Sequence, residues 1–586
     1  MVRRRIDELL ALHRIREWIE RRDWDEGATL MVFGALIGGM SGLSVVGFYR
    51  LIDLSHFILI QLPESHLPIV GQALYAPILT GFGLWAAWFV VRRSHIPDGQ
   101  NVPDVQLAIA KRDGVIRSGP VAVRTIASAI TLGSGGSAGS EGPVATLSAT
   151  VGSAIGRRLR FQPRHLKILV GCGAAAGIAA AFNAPFAGAF FALEEVLGSF
   201  SVGAFSPVVI ASVVGALTVR PFLGSHPIFA SAVPASTRPL EVLLYPLLGV
   251  SCGVVSAAYA RLYLGAGALA ARLRGPRWIW PAAAGAVVGL IVIASRNLLA
   301  GNGHLAIPEP IFGQLAWYTL LGITAGKIIA TVVTLGFGGS GGVFTPTLFI
   351  GAALGGGLGV LGQMAAPGLV NAQAWAFVGM AGMVAGATRA PLTAIFMVFE
   401  MTDDYTYVVP LMIVAVIAYT TARRYSAHGL YDGWLAARGQ HLAHGVDQSL
   451  MDHTHVADAI DRDVPTIDAD ASIDELVVAA QSSRHGVLPV IDPDGILVGL
   501  ISHHVLREAI VSRGHLDPVV LAADLAEPVD ALSPRDTLRR ALAVMNARGI
   551  DAVPVVEHDG DGVRFAGLLS RGDVLLVYER ALAHAI

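Results

Sequence analysis

Gly133-Ser134-Gly135-Gly136-Ser137-Ala138-Gly139-Ser140-Glu141-Gly142-Pro143 and Gly336-Phe337-Gly338-Gly339-Ser340-Gly341-Gly342-Val343-Phe344-Thr345-Pro346 decide the fold. Shifted by 203 positions, Gly133, Gly135, Gly136, Ser137, Gly139 and Pro143 fall on identical residues. An apolar, Gly/Ala-rich run follows each stretch, with Pro where a first helical turn tolerates it. A glycine-rich loop feeding a helix N-terminus presents bare backbone N–H groups and the positive end of the helix dipole, which suits an anion. One such loop per half is the mark of a repeat transporter whose broken helices meet near the bilayer midplane.

The duplication extends outward. Asn183-Ala184-Pro185, Phe190 and Glu194 superpose on Arg389-Ala390-Pro391, Phe396 and Glu400 at an offset of 206. Composition agrees with a membrane protein. The 586 residues are 53% hydrophobic and 15% charged, against about 25% charged in a soluble chain. Apolar segments cover about 28–55, 72–92, 119–133, 142–157, 165–182, 184–197 and 203–221, and a second half repeats the plan from Pro239 to Arg424. Many are too short or too Gly/Pro-interrupted to span about 30 Å simply, so tilted and half-length helices are expected.

The net charge of −2 hides an asymmetry. Residues 441–586 carry 23 acids against 11 arginines, and the rest carries 21 acids against 31 bases. The basic clusters Arg3-Arg4-Arg5, Arg21-Arg22, Arg157-Arg158 and Arg423-Arg424 mark cytoplasmic ends. Both termini are therefore placed in the cytoplasm, and compact loops point to a prokaryotic cell membrane. Cys172 and Cys252 lie in apolar runs, which argues against a disulfide framework or metal site. The expected division is an interfacial helix over 1–26, transmembrane repeats over 27–221 and 239–440, and a soluble α/β module over 448–586. That module is itself duplicated, at about 448–512 and 520–582: VPTIDADASIDELVVAAQSSRHGVLPVID aligns with DALSPRDTLRRALAVMNARGIDAVPVVE.

Among residues able to carry chemistry, Glu141 stands out. A carboxylate in an apolar membrane region is costly and is by default functional. At a helix N-terminus it competes with any anion held there, and protonation removes the competition. Of Glu194 and Glu195, one is expected to face a crevice and titrate. Glu400 reads as structural, capping or pairing with Arg389 or another basic group. Tyr431 reads as an anion-directed hydroxyl donor or as an interfacial anchor. No phosphate-cradling motif, metal-ligand cluster or nucleophile constellation supports an enzyme, and nothing suggests nucleic acid.

These motifs together resemble the CLC family of chloride channels and chloride/proton exchangers, followed by a tandem pair of CBS domains. Gly139-Ser140-Glu141-Gly142-Pro143 stands for the family's G(K/R)EGP, Gly342-Val343-Phe344-Thr345-Pro346 for GxFxP, and Gly99-Gln100-Asn101-Val102-Pro103-Asp104 for GSGIPE. The resemblance implies an all-α, inverted-repeat membrane fold, an α/β CBS pair, a lipid-embedded homodimer, and chloride or a similar small anion and protons as substrates. It assigns gating to Glu141 and intracellular proton transfer to Glu195. Anion contact falls on Gln100, Gly139, Ser140, Glu141, Gly142, Val343, Phe344 and Tyr431. Retention of the inner glutamate implies antiport, with a passive channel as the alternative. Gln100 replaces the family's selectivity serine, which leaves bicarbonate, nitrate or another anion open. A third reading is a membrane-anchored nucleotide sensor with vestigial transport. No cofactor is required. An adenine nucleotide is implied at the CBS pair, where Ser570 and Asp573 keep the ribose-contact pattern and the first copy lacks its Asp.

Overall fold

The computed structural model describes residues 26–64, 69–94, 101–224, 239–302, 315–440, 451, 454–483, 486–502, 505, 507, 520–548, 550–559 and 562–577. Residues 1–25 of the expected helix over 1–26, most of the stretch between the two halves, and Gln100 lie outside them. The chain divides into two compact units, Met1–Leu442 and Ala443–Ile586.

The first unit is helical. Its first half comprises α1 (Glu26–His56), α2 (Ile69–Arg93), α3 (Asn101–Lys111), α4 (Ser118–Gly133), α5 (Glu141–Arg158), α6 (Pro163–Phe182), α7 (Pro185–Phe191) and α8 (Val202–Leu223). A π-turn, Ala192–Val196, extends α7. The second half comprises α9 (Tyr245–Arg272), α10 (Ile279–Ala294), α11 (Trp317–Gly336), α12 (Phe344–Ala365), α13 (Ala372–Thr388), α14 (Pro391–Thr402), α15 (Val408–Tyr425) and α16 (Leu430–Ala436). Among the described residues, seven helical stretches are long and apolar enough to cross a membrane. The seven residues of α7 and of α16 rise only about 10 Å each, so these are the broken elements the sequence led one to expect.

The halves pack alike. α5 lies on α6 as α12 lies on α13, and α8 lies on α1 as α15 lies on α9. In lipid, close backbone approach replaces the hydrophobic drive between helices. A Cβ at Gly351 of α12 would meet the carbonyl of Gly379 of α13, and a Cβ at Gly379 would meet that of Gly351. Every residue of α13 except Gln373 is buried, which places this helix at the centre of the unit.

The repeated Asn/Arg-Ala-Pro motif has a local cause. α6 ends on Asn183 with φ 52°, and α13 ends on Arg389 with φ 73°, both left-handed. The chain then turns into α7 or α14, with Pro185 or Pro391 in the first helical turn. Arg389 is held there by donating to the carbonyls of Tyr419 (3.2 Å), Ala422 (3.1 Å) and Ser426 (2.8 Å). It does not pair with Glu400.

The second unit contains two small sheets. β1 (Ile467–Asp468), β2 (Val487–Ile491) and β3 (Leu497–Ser502) form one, with β1 parallel and β3 antiparallel to β2. β4 (Ala552–Asp559) and β5 (Gly562–Ser570) form an antiparallel pair. α17 (Ile473–Ser482) and α18 (Leu538–Arg548) are the accompanying helices. The segments that lead into the two copies are exchanged. Val456 belongs to the core of Leu538, Val553 and Leu569, and its N–H bonds to Asp536. Ala522 belongs to the core of Leu476 and Val490, and its N–H bonds to Ala471. A boundary drawn by sequence order alone misses this exchange.

Candidate functional site

The two glycine loops meet face to face. The N–H of Gly139 donates to Gly342 O at 2.8 Å, and the N–H of Gly342 donates to Gly139 O at 2.7 Å. Gly139 therefore contributes a close backbone approach, and its N–H, assigned to an anion on the sequence, is spent on this pair. The serines repeat the exchange one step out. Ser137 accepts α11 as its partner, with its N–H donating to Thr334 Oγ1 (3.1 Å) and its Oγ 2.9 Å from Thr331 Oγ1. Ser340 does the same on α4, with its N–H donating to Thr131 Oγ1 (3.0 Å) and its Oγ 2.9 Å from Ser128 Oγ. Each loop is thus pinned by the helix that precedes the other loop. Gly135 and Gly338 supply the turns at φ 86° and 113°, which side-chain-bearing residues rarely adopt.

This seam sets the N-termini of α5 and α12 side by side. Glu141, the first residue of α5, is buried, at 1% exposure. Its carboxylate lies at the N-terminus of α12. It accepts the N–H of Thr345 at 2.8 Å and the Thr345 hydroxyl at 2.5 Å, and the N–H of Phe344 also supports it. A helix of one half therefore begins with a carboxylate that caps the partner helix of the other half. The backbone donors and the positive dipole end found there would serve a free anion equally well.

Around this point Phe344 packs against Phe182 and Phe191, with centroids 6.1 and 6.2 Å apart. Val343 is the cap of α12, and its carbonyl accepts the Thr347 hydroxyl at 2.7 Å. Ser140 and Gly142 are both buried, and the Ser140 hydroxyl faces Tyr49 at 3.5 Å. Tyr431, on α16, is buried and within electrostatic reach of Glu195 and Glu141, with Tyr259 and Tyr263 of α9 beside it. It is packed inside the unit, not exposed as an anchor would be.

The Glu194–Glu195 pair separates cleanly. Glu194 accepts from the N–H of Leu392 (3.1 Å) and from the N–H and hydroxyl of Thr393 (both 2.7 Å), so it caps α14. Glu400 returns the favour at α7, accepting from the N–H of Phe186 (3.0 Å) and Ala187 (2.7 Å). Between these caps Phe190 stacks on Phe396, with centroids 4.3 Å apart and planes within 4°. Glu195 points the other way, is 6% exposed, and meets Gln106 of α3. Glu195, Tyr431 and Glu141 are all buried, with both glutamates in electrostatic reach of Tyr431, while Glu194 and Glu400 bridge the repeats.

Sequence reasoning missed Thr345, Gln106, Tyr259, Tyr263 and the Ser/Thr seam. One signal was available: Thr131 and Thr334 share the 203-residue offset of the glycine loops. Among the described residues, no cluster of His, Cys, Asp or Glu could hold a metal ion. In the second unit, Ser570 and Asp573 bond to each other, with the Ser570 N–H and hydroxyl donating to Asp573 Oδ2 at 3.0 and 2.6 Å.

The profile of the voltage gated chloride channel family matches residues 82–423, and that of the CBS domain matches residues 456–512 and 522–580. The chain is 38% identical over 341 residues to the chloride channel protein ClcB-like of Ralstonia nicotianae, covering 57% of this chain and 79% of that protein. It is 30% identical over 422 residues to the H(+)/Cl(-) exchange transporter ClcA of Cronobacter sakazakii, covering 70% of this chain and 89% of that one. The structure of a slow cyanobacterial Cl-/H+ antiporter superposes with a TM-score of 0.63 at 22% identity, over 71% of this chain and 99% of that chain.

Proposed function

The chain belongs to the voltage-gated chloride channel family, with a pair of CBS domains, and from that premise we propose that it exchanges a small inorganic anion for protons across a cell membrane. It is a carrier and not an enzyme. Both termini and the CBS pair lie in the cytoplasm, and the protein works as a homodimer.

The observation that carries this reading is the placement of the Glu141 carboxylate. It occupies an anion cradle made by the other half of the molecule, on the Thr345 N–H and hydroxyl. An arriving anion takes those donors, and Glu141 swings away and accepts a proton. A protonated Glu141 no longer competes for the cradle. Glu195, buried and within electrostatic reach of Tyr431, supplies that proton from the cytoplasm. The anion and the Glu141 carboxylate thus exclude each other from one cradle, and protonation of Glu141 ties the passage of the anion to that of the proton.

Reconstituted vesicles with an imposed chloride gradient, a clamped membrane potential and an external pH dye test this. Exchange predicts proton movement against its own gradient, abolished in Glu141→Gln and in Glu195→Gln. Undiminished proton uptake in Glu195→Gln contradicts its role. Chloride flux without protons in the wild type makes the protein a passive channel. Gln100, in place of the family's serine, favours running bicarbonate, nitrate and fluoride beside chloride.

We also propose an adenine nucleotide for the CBS pair, contacted through Ser570 and Asp573. Isothermal titration of the intact protein with ATP, ADP and AMP is expected to show saturable binding that Asp573→Ala weakens at least about tenfold. Three flat titrations would leave the pair a structural module.

A further inference from the structure

Gln106 is one turn into α3, the helix that follows the Gln100 stretch and packs against α5, the π-turn of Glu195 and α16. It is 3% exposed. Its Nε2 donates to the Glu195 carbonyl at 2.7 Å and to the Glu195 carboxylate Oε1 at 3.0 Å. Both partners are acceptors, so the assignment of the amide is fixed: the NH₂ faces them, and the oxygen takes the other position on the planar group. That oxygen, Gln106 Oε1, is buried and has no hydrogen-bond partner among the described residues. A buried carbonyl oxygen left unpaired is costly, and buried water is the usual remedy.

We propose that Gln106 is the positioning residue of the inner proton carboxylate, and that its free oxygen holds the water from which Glu195 receives its proton. The inference rests on the exchange reading above and names a residue that reading does not use. The amide ties Glu195 to α3 twice, once through its backbone and once through Oε1. Oε1 then remains an acceptor, and the incoming proton goes to Oε2. The water gives that proton to Oε2 and regains one from the cytoplasmic solvent, so the step balances with no other reactant. The charged groups that act on Glu195 electrostatically are Asp432 on α16 and the adjacent Glu194, whose own oxygens are turned to α14. Both are acidic, so the neutral amide is the group here that can donate to the carboxylate and still leave it free to take up a proton.

The test is the proton-to-anion ratio in vesicles, which packing defects that slow both fluxes equally do not move. Gln106→Met keeps the volume and removes both amide functions. It is expected to lower the ratio by about tenfold or more, the scale on which loss of an orienting outer-shell partner is felt. Gln106→Glu restores an oxygen acceptor and, when protonated, a donor, and is expected to recover part of the ratio. Val105→Ala, on the same buried turn, is the packing control. A wild-type ratio in Gln106→Met overturns the proposal, as does an equal fall in Val105→Ala. If Gln106→Met does not fold, Gln106→Leu takes its place, and a wild-type ratio in it overturns the proposal. A wild type that moves anions with no protons overturns the exchange reading first, and this inference with it. A wild type that couples protons while Gln106→Met also does so overturns this inference alone.

Discussion

Adjacent glutamates with opposite fates show how much one residue's direction decides. A π-turn carries both Glu194 and Glu195, and the wider turn splays them. Glu194 spends its oxygens on the backbone of α14, and Glu195 meets a neutral amide. Lys327 makes the same point for a cation. It is fully buried, donates to the carbonyls of Leu299 (3.1 Å) and Gly301 (2.9 Å), and lies over the Phe349 ring at 5.2 Å. Those carbonyls sit beside the first glycine loop, since the Gly301 N–H reaches Gly135 O at 3.5 Å. Lys327→Met keeps the volume but strands both oxygens. We expect a loss of about 2 kcal/mol, read as a lower melting temperature in detergent, and slower transport from a loosened loop.

At the scale of elements, short helices need their ends satisfied by something other than length. α7 and α14 begin at Pro and receive carboxylate caps from one another's C-terminal turns. A carboxylate at a helix N-terminus gains both the donors and the dipole. Removing either is expected to cost about 1–2 kcal/mol. Glu194→Ala and Glu400→Ala should therefore destabilise to a similar degree in thermal unfolding, although only Glu194 adjoins Glu195. A Glu400→Ala protein as stable as wild type would mean the cap is idle. The same logic explains why α13 has no polar face: it is enclosed on all sides, and small residues give its neighbours access to its backbone.

At the scale of the whole membrane unit, the site belongs to neither half. Each loop is fastened by hydroxyls on the helix that introduces the other loop, Glu141 of one half caps α12 of the other, and Glu194 and Glu400 cap helices across the repeats. The halves should therefore not act independently. Thr131→Val and Thr334→Val each remove one fastening of about 1 kcal/mol. Because both act on one seam, the double variant should depart from additivity by at least about 0.5 kcal/mol. Strict additivity in a double-mutant cycle of chemical unfolding would mean that the loops are held separately.

Sequence alone determined the class, the duplication and the two glycine loops that meet at the seam. Glycine loops before Pro-led helices can serve few purposes in an apolar chain, and an internal repeat exposes itself by offset. It also singled out Glu141, since a carboxylate there is too costly to be incidental. It could not tell Glu194 from Glu195, nor Glu400 as a cap from Glu400 as a partner of Arg389. It missed Thr345 and Gln106 altogether. Those assignments depend on contacts between residues 89 to 214 positions apart. Only the tertiary structure sets which backbone N–H a carboxylate reaches, because that is fixed by how two repeats approach each other and not by local spacing. The same reason hid the exchanged leading segments of the CBS pair: their sequence order is local, and their cores are not.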